Sequence, residues 1–191
     1  VILGISSFYF FSSEQIGISH KIESFNNEEG NLSFDLYSYS VGKDRHREEY
    51  NNPDIISYSI DASEVMEDDF NQSKLKWREN YWGFSKDEIP INGRLWVPEN
   101  EGKYPIISII HGNHSMQEYS DDGYNYLGEY LSSHGYIFNS VDQNFLNGSW
   151  EGDFRGKEMS TRSWHFLENL SYLKKLNNDS TSILYNKIDF N

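Results

Sequence analysis

Two short apolar runs organise the second half of the chain. Ile106 to Ile110 carries no charge and stops abruptly at His111-Gly112, where a polar loop begins. A short apolar run bounded by Pro and Gly reads as a buried strand of a parallel sheet. Tyr136 to Val141 is the second run, with Asp142 at its carboxyl end. Between them, Asp121 and Asp122 suit a helix N-cap. Tyr124, Leu127 and Leu131 fall three and four apart on one helical face, and Gly135 follows as the residue after the helix end. The pattern predicts a βαβ unit over 106–142, whose strands are parallel neighbours. A polar, Gly-rich loop follows from Asn144 to Lys157. A longer helix is then predicted from Ser160 to Leu176. Its apolar stripe is Trp164, Leu167, Leu170 and Leu173, flanked by Phe166 and Leu176, and Asn177 and Asn178 end it. Ile188-Asp-Phe190 reads as the approach to a further strand.

The first half is less sharply patterned. Arg94-Leu-Trp-Val97, closed by Pro98, reads as a strand. Trp77, Tyr81, Trp82 and Phe84 are expected in the core or on edge strands. Residues 12–75 form an acidic, polar extension, with short alternating pieces such as Ile55 to Ile60 that predict antiparallel strands. Its charge runs, Lys43 to Glu49 and the acidic Glu64, Glu67, Asp68 and Asp69, read as solvated surface. Val1 to Phe11 is apolar and aromatic. Eleven residues are too few for a bilayer core, which needs about 20. The segment fits either the tail of a signal or membrane anchor, which would make the protein secreted or membrane-attached rather than cytoplasmic, or a buried N-terminal strand or helix. The division is therefore 1–11, 12–75 and 76–191.

Composition narrows the partners. A net charge of -14 argues against nucleic acid, because phosphate binding needs clustered Lys and Arg. Hydrophobic content is only 37%, but aromatics reach 16% and supply core volume, which argues against disorder throughout. Cys is absent, so neither disulfides nor Cys-ligated metals arise.

The order of elements from residue 93 resembles the front half of an α/β-hydrolase, close to the dienelactone-hydrolase and platelet-activating-factor-acetylhydrolase-like esterases. The matching pieces are Gly93-Arg-Leu-Trp-Val-Pro98, Tyr104-Pro-Ile-Ile-Ser-Ile-Ile-His-Gly-Asn-His114, Gly123-Tyr-Asn-Tyr-Leu-Gly128, His134-Gly135-Tyr136, Ser140-Val-Asp142 and Lys187-Ile-Asp189. Tyr81-Trp-Gly-Phe84 and Gly42-Lys-Asp-Arg-His-Arg47 match more weakly. The resemblance implies an α/β class with a partial hydrolase fold, a parallel βαβ sheet with helices on both faces, behind a β-rich N-terminal extension. It implies a serine esterase or acyl hydrolase acting on a small-molecule ester through an acyl-enzyme, with no metal or organic cofactor. The loop after the first βαβ strand supplies oxyanion donors in such enzymes. Here that loop gives the backbone N–H of Asn113 as the donor, Gly112 as the residue that turns tightly beside substrate, and His114 and Ser115 as the lining of the mouth. His111 and Asp142 are expected to order the site. The Gly-x-Ser-x-Gly elbow is absent: Ser149 has Asn147 and Glu151 where glycines are required. The resemblance places nucleophile, acid and base after Asn191, so the chain alone is expected to be inactive and its sheet edge uncovered.

Two other readings compete. Gly112-Asn-His114 with Asp44-Arg-His46 has the spacing of a calcineurin-like metallophosphoesterase that would use Asp44, His46, Asn113 and His114. Asp44 follows no apolar strand, however, and Ser115 stands where an acidic residue is needed. A non-catalytic, hydrolase-like binding protein is the other. His134 reads as a helix C-terminal cap. His165 has no partner legible in the sequence, and Ser171-Tyr-Leu-Lys174 is a chance match to Ser-x-x-Lys.

Overall fold

The computed structural model of the chain describes residues 28, 30–66, 72–148 and 159–190. The apolar segment 1–11, the acidic Glu67, Asp68 and Asp69, and Ser149 lie outside them. The elements in chain order are β1 (Phe34–Ser40), α1 (Glu48–Asn51), β2 (Ile55–Ile56), β3 (Ser59–Ile60), α2 (Gln72–Trp82), β4 (Ile89–Pro90) and β5 (Asn92–Pro98). They continue with β6 (Tyr104–Ile110), a 3₁₀ turn (Asp121–Tyr124), α3 (Asn125–Ser133), β7 (Ile137–Asp142), a 3₁₀ turn (Asn144–Leu146), α4 (Met159–Asn178) and β8 (Ile188–Asp189).

The fold is mixed α/β. One sheet has the order β2-β1-β5-β7-β6-β8, and β3 and β4 make a small second one. In the large sheet β5 runs against both of its neighbours, and the other pairings are parallel. β7 lies between β5 and β6 and is buried along its whole length. β1 and β2, which come from the stretch expected to form a separate extension, belong to this same sheet. β2 pairs parallel with β1, not antiparallel as its alternation suggested.

Alternate residues of β5 face opposite layers. Leu95 and Val97 join Tyr39 and Ile137 against Tyr172 and Leu173 of α4. Trp96 faces the other way, 5.5 Å from the Phe138 ring, beneath α3. α3 and α4 therefore cover opposite faces. A buried polar contact sets where α4 sits: the Tyr39 hydroxyl donates to Asn139 at 2.8 Å and accepts from the Asn169 amide at 2.8 Å. The chain leaves β6 for one face and β7 for the other, and the loops that follow both strands lie at the carboxyl edge of the sheet.

Three expectations change in detail. β6 is half-buried and not fully buried, because β8 pairs with it only at Tyr104 and Pro105. Ile107, Leu167 and Phe190 are consequently exposed beside it. Trp77, Tyr81 and Trp82 lie on a helix, α2. Their aromatic character suggested strands, but Trp77 and Tyr81 are four apart and their rings stack at 5.9 Å across one helical turn. The turn before α3 is 3₁₀, with Ser120, not Asp121 or Asp122, at the N-cap.

α3 approaches the sheet closely because Gly128 has no side chain. A Cβ there would stand 2.4 Å from the Trp96 indole. Gly128→Ala is expected to lower stability by about 1–3 kcal/mol through overpacking. The urea midpoint followed by tryptophan fluorescence measures this.

Candidate active site at the carboxyl edge of the sheet

Four chain segments meet where β1 and β7 end: the turn after β1, the start of β5, the turn before α3 and the loop after β7. Arg47 lies among them, 7% exposed. Its guanidinium donates to Asp44 at 2.8 Å, to Asp121 at 3.0 Å and to Asp142 at 2.6 Å. It also lies over the Tyr50 ring at 4.4 Å and the Tyr119 ring at 4.7 Å. The Tyr50 hydroxyl donates to Asp121 at 2.6 Å, and Arg94 and the Asn144 amide donate to the same carboxylate. Asn144 further donates to Asp142 from its side chain and its backbone N–H. The run Lys43 to Glu49 is thus not all solvated surface: Asp44 and Arg47 turn inward while Lys43, Arg45 and Glu48 stay outside. Asp142 is an ion-pair anchor at this edge. Burial pushes its carboxyl up, but Arg47 and the Asn144 N–H outweigh that and hold it down at about 2. Burial and the facing Asp142 push Asp121 up.

A second set of bonds holds the loop after β6. His111 is buried. Its Nε2 accepts from the Gln143 N–H at 3.0 Å, which leaves the proton on Nδ1, and Nδ1 donates to the Gly112 carbonyl at 2.9 Å. Burial lowers its pKa to about 4. Arg162, on α4, is 3% exposed and donates to both the His111 carbonyl and Asn147 Oδ1. Asn113 Oδ1 accepts from the Gly148 N–H at 3.0 Å, and the Met116 N–H donates to the Gly148 carbonyl at 2.8 Å. The loops after β6 and β7 are therefore laced together. His165 also finds partners: it donates to the Pro90 carbonyl at 3.0 Å and accepts from Gln143 at 3.1 Å, and burial lowers its pKa to about 4.

The sequence-derived site residues fall in three groups by burial. His111 and Asp142 are buried, and Gly112 and Asn113 are exposed. Gly112 does not have a positive φ, and a Cβ there would meet nothing within 4 Å. The turn itself does not require glycine, contrary to expectation; the open space beside it remains. His114 and Ser115 are half-buried, with His114 Nε2 2.6 Å from Ser120 Oγ. The metallophosphoesterase set is not assembled. Asp44 is held by Arg47, His46 stacks on Tyr81 at 4.0 Å, and among the described residues no group of three or more His, Cys, Asp or Glu is arranged to hold a metal. Arg47, Ser120, Gln143, Asn147 and Arg162 have no site role legible in the sequence, and Asp121 is legible there only as a helix N-cap candidate. A polar run directly after an apolar strand, Asp142 to Asn144, was the one signal for part of this set. Compared with known proteins, the chain matches no family model and no curated relative.

Removing the cation tests the network. Arg47→Met leaves three carboxylates without it and is expected to cost about 3–5 kcal/mol, read by chemical denaturation at pH 7. The neutral histidines set a pH trend. In the unfolded chain each takes up a proton near 6.5, whereas in the fold His111 and His165 resist protonation down to about 4. Stability is therefore fully present above pH 6.5 and is lost as pH falls toward 4, by up to about 3 kcal/mol per histidine. His165→Gln, which can keep both bonds, is expected to flatten that fall in a series of thermal melts.

Proposed function

We propose that the chain is the front part of a serine-dependent α/β-hydrolase, a carboxylic-ester or acyl hydrolase, and that it contributes the oxyanion loop. The observation that carries the reading is the fixed backbone at Gly112 and Asn113, at the carboxyl end of a parallel strand. In a trans peptide the N–H points away from the carbonyl. The His111 carbonyl is turned onto Arg162, so the Gly112 N–H is directed the opposite way. The Gly112 carbonyl is turned onto His111, so the Asn113 N–H is directed away from the imidazole. Donors held in place before reaction stabilise a developing oxyanion, and loss of one costs about 3 kcal/mol. The open space at Gly112 leaves room for a substrate carbonyl. Asp142, committed to Arg47, orders the edge and takes no proton in this scheme. By the resemblance, the nucleophile follows the strand that starts at Ile188.

The encoding gene tests this directly. A Gly-x-Ser-x-Gly turn is expected within about twenty residues after Asn191, as the strand-to-helix elbow requires. In the protein carrying it, replacing that serine abolishes hydrolysis of p-nitrophenyl acetate, and Arg162→Lys lowers kcat by about 100-fold with KM little changed. A gene without the elbow, or sustained turnover by residues 1–191 alone, contradicts the proposal.

A further inference from the structure

One serine outside that scheme has the geometry of an activated hydroxyl. Ser120 Oγ lies 2.6 Å from His114 Nε2. The other ring nitrogen of His114, Nδ1, is 3.0 Å from the Ser115 carbonyl, which can only accept. Nδ1 therefore carries the proton, Nε2 presents its lone pair, and the hydrogen between the two side chains belongs to the serine; the Glu118 carbonyl, 3.2 Å from Ser120 Oγ, is a second and longer acceptor for it. The Glu118 carboxylate stands 3.9 Å from Nδ1, on the side where positive charge would appear.

Three further features separate this pair from an ordinary loop contact. Ser120 occupies the N-cap of the turn that leads into α3, where a serine hydroxyl normally accepts from the helix backbone, yet it makes no capping bond. Its backbone is pinned on both sides. The Tyr119 hydroxyl is 2.6 Å from that of Tyr81, and Asp121 is held by Arg47, Tyr50 and Asn144. Finally, Ser120 and His114 are both half-buried, so each is still reachable from solvent. Nucleophile, base and an oriented base are the elements of a hydroxyl that reacts.

We infer that Ser120 is itself a nucleophile, with His114 as its general base, toward small carboxylic esters that have good leaving groups. Ser120 Oγ forms a bond to the acyl carbon while its proton passes to His114 Nε2. The bond from acyl carbon to the phenoxide or alkoxide then breaks, and the proton leaves with that group. The product is an acyl-serine on this chain. The inference stands apart from the hydrolase reading, which assigns the chain no nucleophile.

The probe is p-nitrophenyl acetate with the chain 1–191. A stoichiometric burst of p-nitrophenolate is expected, without sustained turnover, and peptide mass mapping is expected to place the acetyl group on Ser120. Ser120→Ala abolishes the burst. His114→Gln slows it by about 100-fold, the ordinary contribution of a positioned base. Ser180→Ala, an exposed serine elsewhere, leaves it unchanged. A second measurement does not depend on the alanine variant folding. Ser120→Cys introduces the sole thiol in a chain that has no Cys. Iodoacetamide is expected to alkylate it more slowly when His114→Gln is added. No burst, acetyl on another residue, or rates indifferent to His114 in both experiments would overturn the inference. Sustained turnover would instead count against the hydrolase reading alone.

Discussion

The carboxyl edge of the sheet depends on one buried guanidinium. Arg47 comes from the turn after β1, yet its partners lie before α3 and at the end of β7. No apolar contact could tie these segments in this way, since each ends in a carboxylate that burial alone would penalise. The cation makes the carboxylates tolerable, and the carboxylates make the cation tolerable. Tyr50 and Tyr119 close over the guanidinium and exclude water from it. Such a network is a weak source of net stability, because desolvation offsets most of the attraction. Its effect is on geometry: the three segments fit together in one arrangement only.

Arg162 works on the adjacent loops in a different way. Its partners are a carbonyl and an amide oxygen, and the histidine next to it stays neutral. Two buried cations thus bracket the edge: Arg47 is paired with carboxylates, and Arg162 lies behind the His111–Gly112 peptide beside a neutral imidazole. Under the oxyanion-loop proposal, that arrangement suits negative charge developing beside Gly112 and Asn113. A carboxylate beside the loop would repel it, and the nearby Asp142 is already neutralised by Arg47.

Much of this architecture was legible in the sequence where the chain is regularly patterned. The βαβ unit from Ile106 to Asp142 follows from spacing that survives in the fold, whereas the long helix forms but turns a different face inward: Leu167 of the expected stripe is exposed, and Arg162, His165, Asn169, Tyr172 and Leu173 are buried. The aromatic run Trp77 to Trp82 reaches the core at Trp82 as expected, but its helix is not legible, because bulky rings favour strands in isolation and the stacking that favours the helix is visible only in space. The site was half legible. His111 and Gly112 stand out because an apolar run ends on them. Arg47 does not, because a charged residue within a charged run carries no sign of which way it points. Arg162 and Ser120 were hidden for a similar reason: their partners are backbone groups or side chains whose proximity only the folded chain creates.

The uneven pairing of β6 has a consequence for the molecule in solution. Beyond Pro105, among the described residues, β6 offers a row of backbone donors and acceptors on its β8 side, flanked by exposed Ile107, Leu167 and Phe190. A bare edge of this kind is a template on which a strand from another molecule can be copied. The charge of -14 works against that encounter by holding like chains apart. Salt weakens long-range repulsion but leaves the hydrogen-bonding edge intact. For residues 1–191 taken alone, colloidal behaviour is therefore a contest between a local adhesive seam and a diffuse electrostatic cushion, with ionic strength deciding between them.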